Sequence, residues 1–188
     1  MIESIPTDHL TYHYLAALFV QVGDWEAYRR HCNRTLQQFA GTTDPVVAER
    51  MAKDCLIVLP AAAAVEGIKK WVDTAIAAGA EHKSWDYFQF VKGLAEYRQG
   101  HFAGAVEWMQ KIVNRPGDSK RTVGALMILA MAQHQIKQNA EARATLAQGL
   151  ELAQNRLAIP GKGPPGEQWH DWIIAQHLMA EAKNLLKD

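Results

Sequence analysis

The sequence predicts an all-α fold: an α-solenoid of about four antiparallel helix pairs plus a C-terminal capping helix. Three observations carry this. Ala and Leu recur throughout, whereas alternating β-branched runs are almost absent. Turn chemistry falls at regular intervals. A pattern of small and bulky positions returns with a period near 38 residues.

The turn residues divide the chain. Gly23-Asp24 separates helices expected near 8–22 and 24–39. Residues 41–45, GTTDP, start the next near 45–59, with Asp44 as the cap and Pro45 in the first turn. Pro60 interrupts the apolar run CLIVLPAAAAV, and a fourth helix follows near 63–79. Ser84 before WDYF marks a start near 85, and Gly100 divides 85–99 from 101–114. RPGDS, residues 115–119, leads into 119–137, followed by 139–156. The Pro- and Gly-rich stretch 157–166 is the one long loop, and a last helix spans 167–187. Very short turns make neighbouring helices antiparallel.

The third pair supplies the template Gly93, Gly100, Phe102, Ala105, Met109 and Ile112. The first pair repeats it as Ala16, Gly23, Trp25, Tyr28, Cys32 and Thr35. The fourth reads Ala130, Lys137, Asn139, Ala142, Leu146 and Gly149. The second is weaker, with Cys55, Gly67 and Trp71 in register. One reference position therefore runs Tyr28, Gly67, Ala105, Ala142, at spacings of 39, 38 and 37. Small residues belong where two helices cross closely. Bulky ones (Trp71, Met109, Leu146) pack on the next pair, each contributing about 1.5–3 kcal/mol when fully buried. A single pair cannot bury its face, so the units, near 8–40, 45–79, 85–114 and 119–156, must stack into one domain over 1–188.

Composition narrows the function. Twenty basic residues balance twenty acidic ones among 188, which argues against nucleic acid or an anionic membrane as partner. Two cysteines, Cys32 and Cys55, form no metal or redox motif and fit free thiols in a reducing cytoplasm. The N-terminal residues MIESIPTDH lack the basic start and apolar run of a signal peptide, and no stretch is long enough to span a bilayer. The expected location is cytoplasmic.

KGLAEYRQGHFAGAVEWMQKIV (92–113) and AMAQHQIKQNAEARATLAQGL (130–150) resemble the tetratricopeptide repeat family, and that resemblance implies that the solenoid winds as a right-handed superhelix. GDWEAYRRHCNRTLQQF (23–39) fits more loosely, with Tyr28 where the family prefers Ala, and the period exceeds the family's 34. The series is also similar to repeat regions found beside bacterial serine/threonine protein kinases. That resemblance implies an accessory or scaffold role in signalling, binding other proteins. No kinase motif occurs in this chain.

Candidate sites are sparse. GKGPPG (161–166) matches G-x-G-x-x-G by letter, but a helix precedes it and two prolines break it, so it reads as a linker. In the last helix Trp172, Ala175, Leu178, Met179, Ala182 and Leu185 form an apolar stripe suited to capping the open end of the stack. His170 and His177 would stand roughly 10 Å apart on that helix, too far for one metal. His177 and Glu181 share a face, but two ligands make no metal site. Eight scattered histidines form no HExxH, no GxSxG is present, and Cys32 and His31 point apart on their helix. Trp25, Trp71 and Trp108 read as packing between units, and Trp85 as exposed.

The remaining expectation is a non-enzymatic protein–protein interaction module without cofactor or metal. A protein or peptide would bind the concave face through His13, Arg50, Lys53, Tyr87, Phe90, Tyr97, Arg98, Met131, His134 and Gln135. Some family members grip a carboxylate tail with Lys and Asn pairs. Here the matching positions hold His13 and Ala17, Phe90 and Leu94, Met127 and Met131, so that clamp is absent. These greasy replacements suit an apolar peptide, a packed groove, or a groove filled by the chain's own terminal segment. The alternatives are a small-molecule or metal-binding protein using inner-face histidines and aromatics, and a homodimer formed through Phe90, Met127 and Met131.

Overall fold

A computed structural model describes residues 8–115, 117, 119–156 and 169–187. These residues form nine α-helices and no strand. The helices are α1 (His9–Val22), α2 (Trp25–Gln38), α3 (Pro45–Leu56), α4 (Val65–Ala77), α5 (Trp85–Arg98), α6 (Phe102–Val113), α7 (Ser119–Gln135), α8 (Asn139–Arg156) and α9 (Trp169–Leu185). The Gly- and Pro-rich stretch 157–166 lies outside the described residues.

Local chemistry explains the boundaries. Asp8 caps α1, accepting from the Leu10 and Thr11 amides at 3.2 and 3.3 Å. Asp24 caps α2 by accepting from Ala27 N–H at 2.9 Å, and Asp44 caps α3 by accepting from Val46 N–H at 2.8 Å with Pro45 next in line. Ser84 does precede α5, but its side chain makes no capping bond; its amide donates to His82 Nδ1 at 3.1 Å. Helix α3 stops at Leu56, short of the expected 59, because the approaching Pro60 disfavours helical backbone before it. A 3-10 turn, Ala62–Ala64, then leads into α4.

The turns inside three pairs share one device. Gly23, Gly100 and Lys137, aligned by the sequence pattern, have φ of 72°, 80° and 68°. Each is the left-handed residue that lets the chain reverse between helices. Lys137 pays the steric cost of a Cβ that the two glycines avoid.

Packing follows chain order. Helix α1 packs on α2 and α3, α3 on α4 and α5, α5 on α6 and α7, and α7 on α8. Close crossings use the small residues marked in the sequence. Ala16, Ala105, Ala130 and Ala142 are fully buried. A Cβ at Gly93 would collide with the Met109 methyl and lie 3.0 Å from Trp108 Cβ; one at Gly149 would collide with the Met127 methyl and lie 3.1 Å from Leu126 Cβ. Gly93→Leu is therefore expected to cost about 1–3 kcal/mol, because the α5–α6 gap must open. Urea unfolding would measure it.

The last helix departs from the expected end cap. Helix α9 packs on α7, as a cap would, but it also packs on α1 at the other end of the row. It therefore crosses the face formed by α1, α3, α5 and α7. Ile174, Ala175, Leu178 and Ala182 are its buried stripe. Gly124 makes room, since a Cβ there would sit 3.1 Å from the Phe90 ring and 3.6 Å from Leu178 Cδ1. This cover explains why α7 is buried without interruption from Val123 to Gln133: it has protein on every side.

Two smaller expectations also change. Trp71 is buried and its Nε1 donates to Phe39 O at 2.9 Å, but Trp25 is 42% exposed beside His177. Trp85 is half-buried, its ring 6.5 Å from that of Trp108. Phe90, Met127 and Met131 are core residues at 4%, 0% and 0% exposure, so they offer nothing to a second copy.

Candidate functional site

The ten residues expected to line one groove fall into three places. His13, Arg50, Lys53 and Tyr87 line a chamber of about 460 Å³ between α1, α3, α5 and the start of α9. Phe90, Tyr97, Arg98 and Met131 lie largely buried within the helical packing. His134 and Gln135 sit on the last turn of α7, where His134 lines a separate small hollow with Arg143 and Lys187. These ten residues thus do not line one continuous groove.

The chamber contains a charge network carried largely by α3. Its sequence AERMAKDC places Glu49, Lys53 and Asp54 on the side turned toward α1 and α9. All three are buried. Lys53 Nζ lies 3.1 Å from Glu49 Oε1 and 3.1 Å from Asp171 Oδ1 of α9. From α1, His13 Nδ1 meets Asp54 Oδ1 at 2.6 Å. His170 of α9 stands against His13, with ring centroids 4.3 Å apart. Aromatic walls complete the space: Tyr14 lies 5.5 Å from Trp169, and Tyr87 faces Lys53. Arg50 contributes a guanidinium whose Nη1 is 2.5 Å from His9 Nε2.

Burial sets the protonation chemistry. It pushes the His13 imidazole down to about 3, assisted by the Lys53 charge, and His170 down to about 4, assisted by His13. Both rings are therefore neutral near pH 7. Burial likewise raises Glu49 above its usual value and Asp54 well above its own, with the Lys53 charge opposing both. It opposes the charge on Lys53 as well, yet Asp171, Glu49 and Asp54 together hold the ammonium above its usual value. Asp171 is also opposed by burial, but Lys53, His170 and His13 bring it below its usual value.

Among the described residues, several buried polar atoms have no hydrogen-bond partner: Glu49 Oε1, Asp54 Oδ2 and His170 Nδ1. Glu49 Oε1 has Lys53 nearby, but outside hydrogen-bonding geometry. Such atoms each cost free energy unless something meets them. Together with neutral imidazoles and fixed charges, they make the chamber a place that can receive a polar ligand.

Sequence reasoning found His13, Arg50, Lys53 and Tyr87 and missed Tyr14, Trp169, His170 and Asp171 as their companions. His170 was in view on α9, but nothing local places it against His13, more than 150 residues earlier. The two cysteines are free, with Cys55 buried and Cys32 half-buried. Among the described residues no helix is long and apolar enough to cross a membrane. Comparison with protein-family models, with curated proteins and with solved structures found no match to this chain.

Proposed function

We propose that the chain is a non-enzymatic helical-repeat binding module, and that its inner face takes a small polar molecule in the chamber rather than an extended peptide. The single observation behind this is the chamber itself: about 460 Å³, with buried charged side chains on its floor and tyrosine and tryptophan on its walls. That volume lies in the usual range for small-molecule sites, as does the mix of aromatic surface and a few fixed polar groups. The serial packing of the pairs, and the left-handed turn shared by Gly23, Gly100 and Lys137, support the solenoid and tetratricopeptide-like reading of the scaffold.

A thermal-shift screen with short carboxylates, phosphates, amines and amino acids tests the proposal. A ligand held at a hundred times its Kd adds about 2.7 kcal/mol of stability. For a chain of this size that raises Tm by about 5–10 °C. At least one class is expected to give such a shift in the wild type and a much smaller one in Arg50→Ala. A screen in which no class moves Tm would remove the chamber from the account.

A second reading rests on the position of α9. It covers the face where a peptide would lie in an interaction module of the kind the sequence suggests. In that reading α9 is the module's own occupant, a partner binds only when it lifts, and a role as a scaffold beside a bacterial kinase remains open to the same surface. Pull-downs with wild type and with Arg98→Glu, which loosens α9, discriminate. Partner capture gained in the variant supports it; equal capture by both removes it.

A further inference from the structure

We infer that the floor of the chamber is a transition-metal site, in which His13, His170 and Asp171 bind a divalent ion of the zinc type. This deepens the chamber reading and rests on it: the ion would be the part of the ligand that the floor holds.

Three features of geometry carry the inference. One ligand atom from each of His13, His170 and Asp171 lies within 4.8 Å of the others. Around a tetrahedral zinc with Zn–N bonds of about 2.0–2.1 Å, ligand nitrogens stand roughly 3.3 Å apart. Closing from the observed spacing takes an ångström or so, within reach of side-chain rotation. The donor set also fits the ion. Two imidazoles and one carboxylate are borderline ligands that suit zinc and its neighbours better than magnesium or calcium. Three protein ligands leave a fourth position, and here that position opens on the chamber.

A carboxylate already holds one of the two imidazoles from behind. A metal-bound histidine commonly donates its other ring N–H to a carboxylate, which fixes its tautomer and orientation. His13 has such a partner in buried Asp54, at 2.6 Å from Nδ1. With that proton on Nδ1, the Nε2 lone pair is the one available to a metal. His170 has a buried Nδ1 without a partner. Its Nε2 is 3.7 Å from Asp171 Oδ2, too long for a hydrogen bond. An ion between His170 Nε2 and Asp171 Oδ2 would bridge two atoms that stand too far apart to bond each other.

Lys53 and Arg50 oppose a cation, and the local charge decides whether they prevent it. Glu49, Asp54 and Asp171 give three acids against these two bases. Asp171 keeps Oδ2 for the metal while Oδ1 faces Lys53 at 3.1 Å. The surplus cation charge after metal binding would favour an anionic or carbonyl-bearing molecule at the open position.

The test uses the full chain stripped of metal with EDTA and titrated calorimetrically with Zn²⁺. One equivalent is expected to bind. His170→Gln is expected to weaken it by roughly 100-fold or more, and Asp54→Asn by roughly 10–100-fold because the His13 ring loses the carboxylate that orients it. His134→Gln, outside the chamber, should leave binding unchanged. Co²⁺ provides a readout independent of affinity: visible d–d bands of a tetrahedral ion should appear in the wild type and vanish in His170→Gln. Absence of zinc binding overturns the inference, as does binding that His170→Gln leaves intact. If zinc fails but a small organic molecule still raises Tm in EDTA, only the metal inference falls. If both fail, the chamber reading falls with it.

Discussion

Replacing Arg98 with methionine is expected to lower stability by about 3–5 kcal/mol, mostly from two carbonyls that lose their donor. Arg98 ends α5, and its side chain is 4% exposed. Its guanidinium donates to two elements at once, the end of α3 and α9. Nε reaches Leu56 O at 2.9 Å and Nη2 reaches Ile57 O at 2.5 Å, where the α3 backbone ends without a glycine cap. Nη1 and Nη2 also grip Glu181 Oε1 and Oε2 of α9 at 2.5 and 2.8 Å. Methionine fills the volume but leaves two carbonyls and a carboxylate unmet. The carbonyls should account for most of the loss, at about 1–3 kcal/mol each. Glu181 retains partial access to water and can recover some of its hydration. Tm should therefore fall by about 6–20 °C. Adding Glu181→Gln should recover only the carboxylate's share. Near-complete recovery in the double variant would instead assign the loss to the ion pair and refute the carbonyl account. Calorimetric melting of the wild type and both variants separates these outcomes.

The helices were legible because their limits are written locally. Asp24, Asp44, Gly23 and Gly100 act through bonds and dihedral angles within a few residues, and the structure uses each where the sequence places it. The close crossings were legible for a related reason. A residue such as Gly93 recurs where a neighbouring helix leaves no room for a Cβ, so spacing alone reveals it. The path of α9 was not. Its apolar stripe says that it must cover something, but an end face and the inner face of the stack ask for the same stripe. Two signals did favour the inner face. Residues 123–133, VGALMILAMAQ, are apolar around nearly the whole helix, which leaves little surface for a solvated groove. The matching positions Phe90 and Met131 are greasy as well. The chamber was harder still. Glu49 and Lys53 have the i, i+4 spacing of a surface pair, and only the arrival of Asp171, 118 positions away, turns them into a buried network.

That network makes Lys53→Met the other severe change, again about 3–5 kcal/mol. The ammonium is 3% exposed and is the cation between Glu49 and Asp171. Methionine would occupy much the same space, so the cost is electrostatic and not a cavity. Two carboxylates would be left desolvated without their shared partner, and either they become protonated or α9 lifts to let water in. The two responses can be told apart. Hydrogen exchange of α9 amides would rise well above that of α3 if the helix lifts, and the Trp169 emission would shift to the red. Removing the acids together with the lysine tests the cause. Lys53→Met/Glu49→Met/Asp171→Asn is expected to recover at least half of the lost stability, since an apolar replacement of a whole buried ion network is often neutral or better. A triple variant no more stable than Lys53→Met would mean that the lysine stem, through its packing, matters more than its charge. The comparison also bears on function. If the triple variant is as stable as the wild type, the fold does not require these charges, and their presence at the floor of the chamber is left for ligand binding to explain.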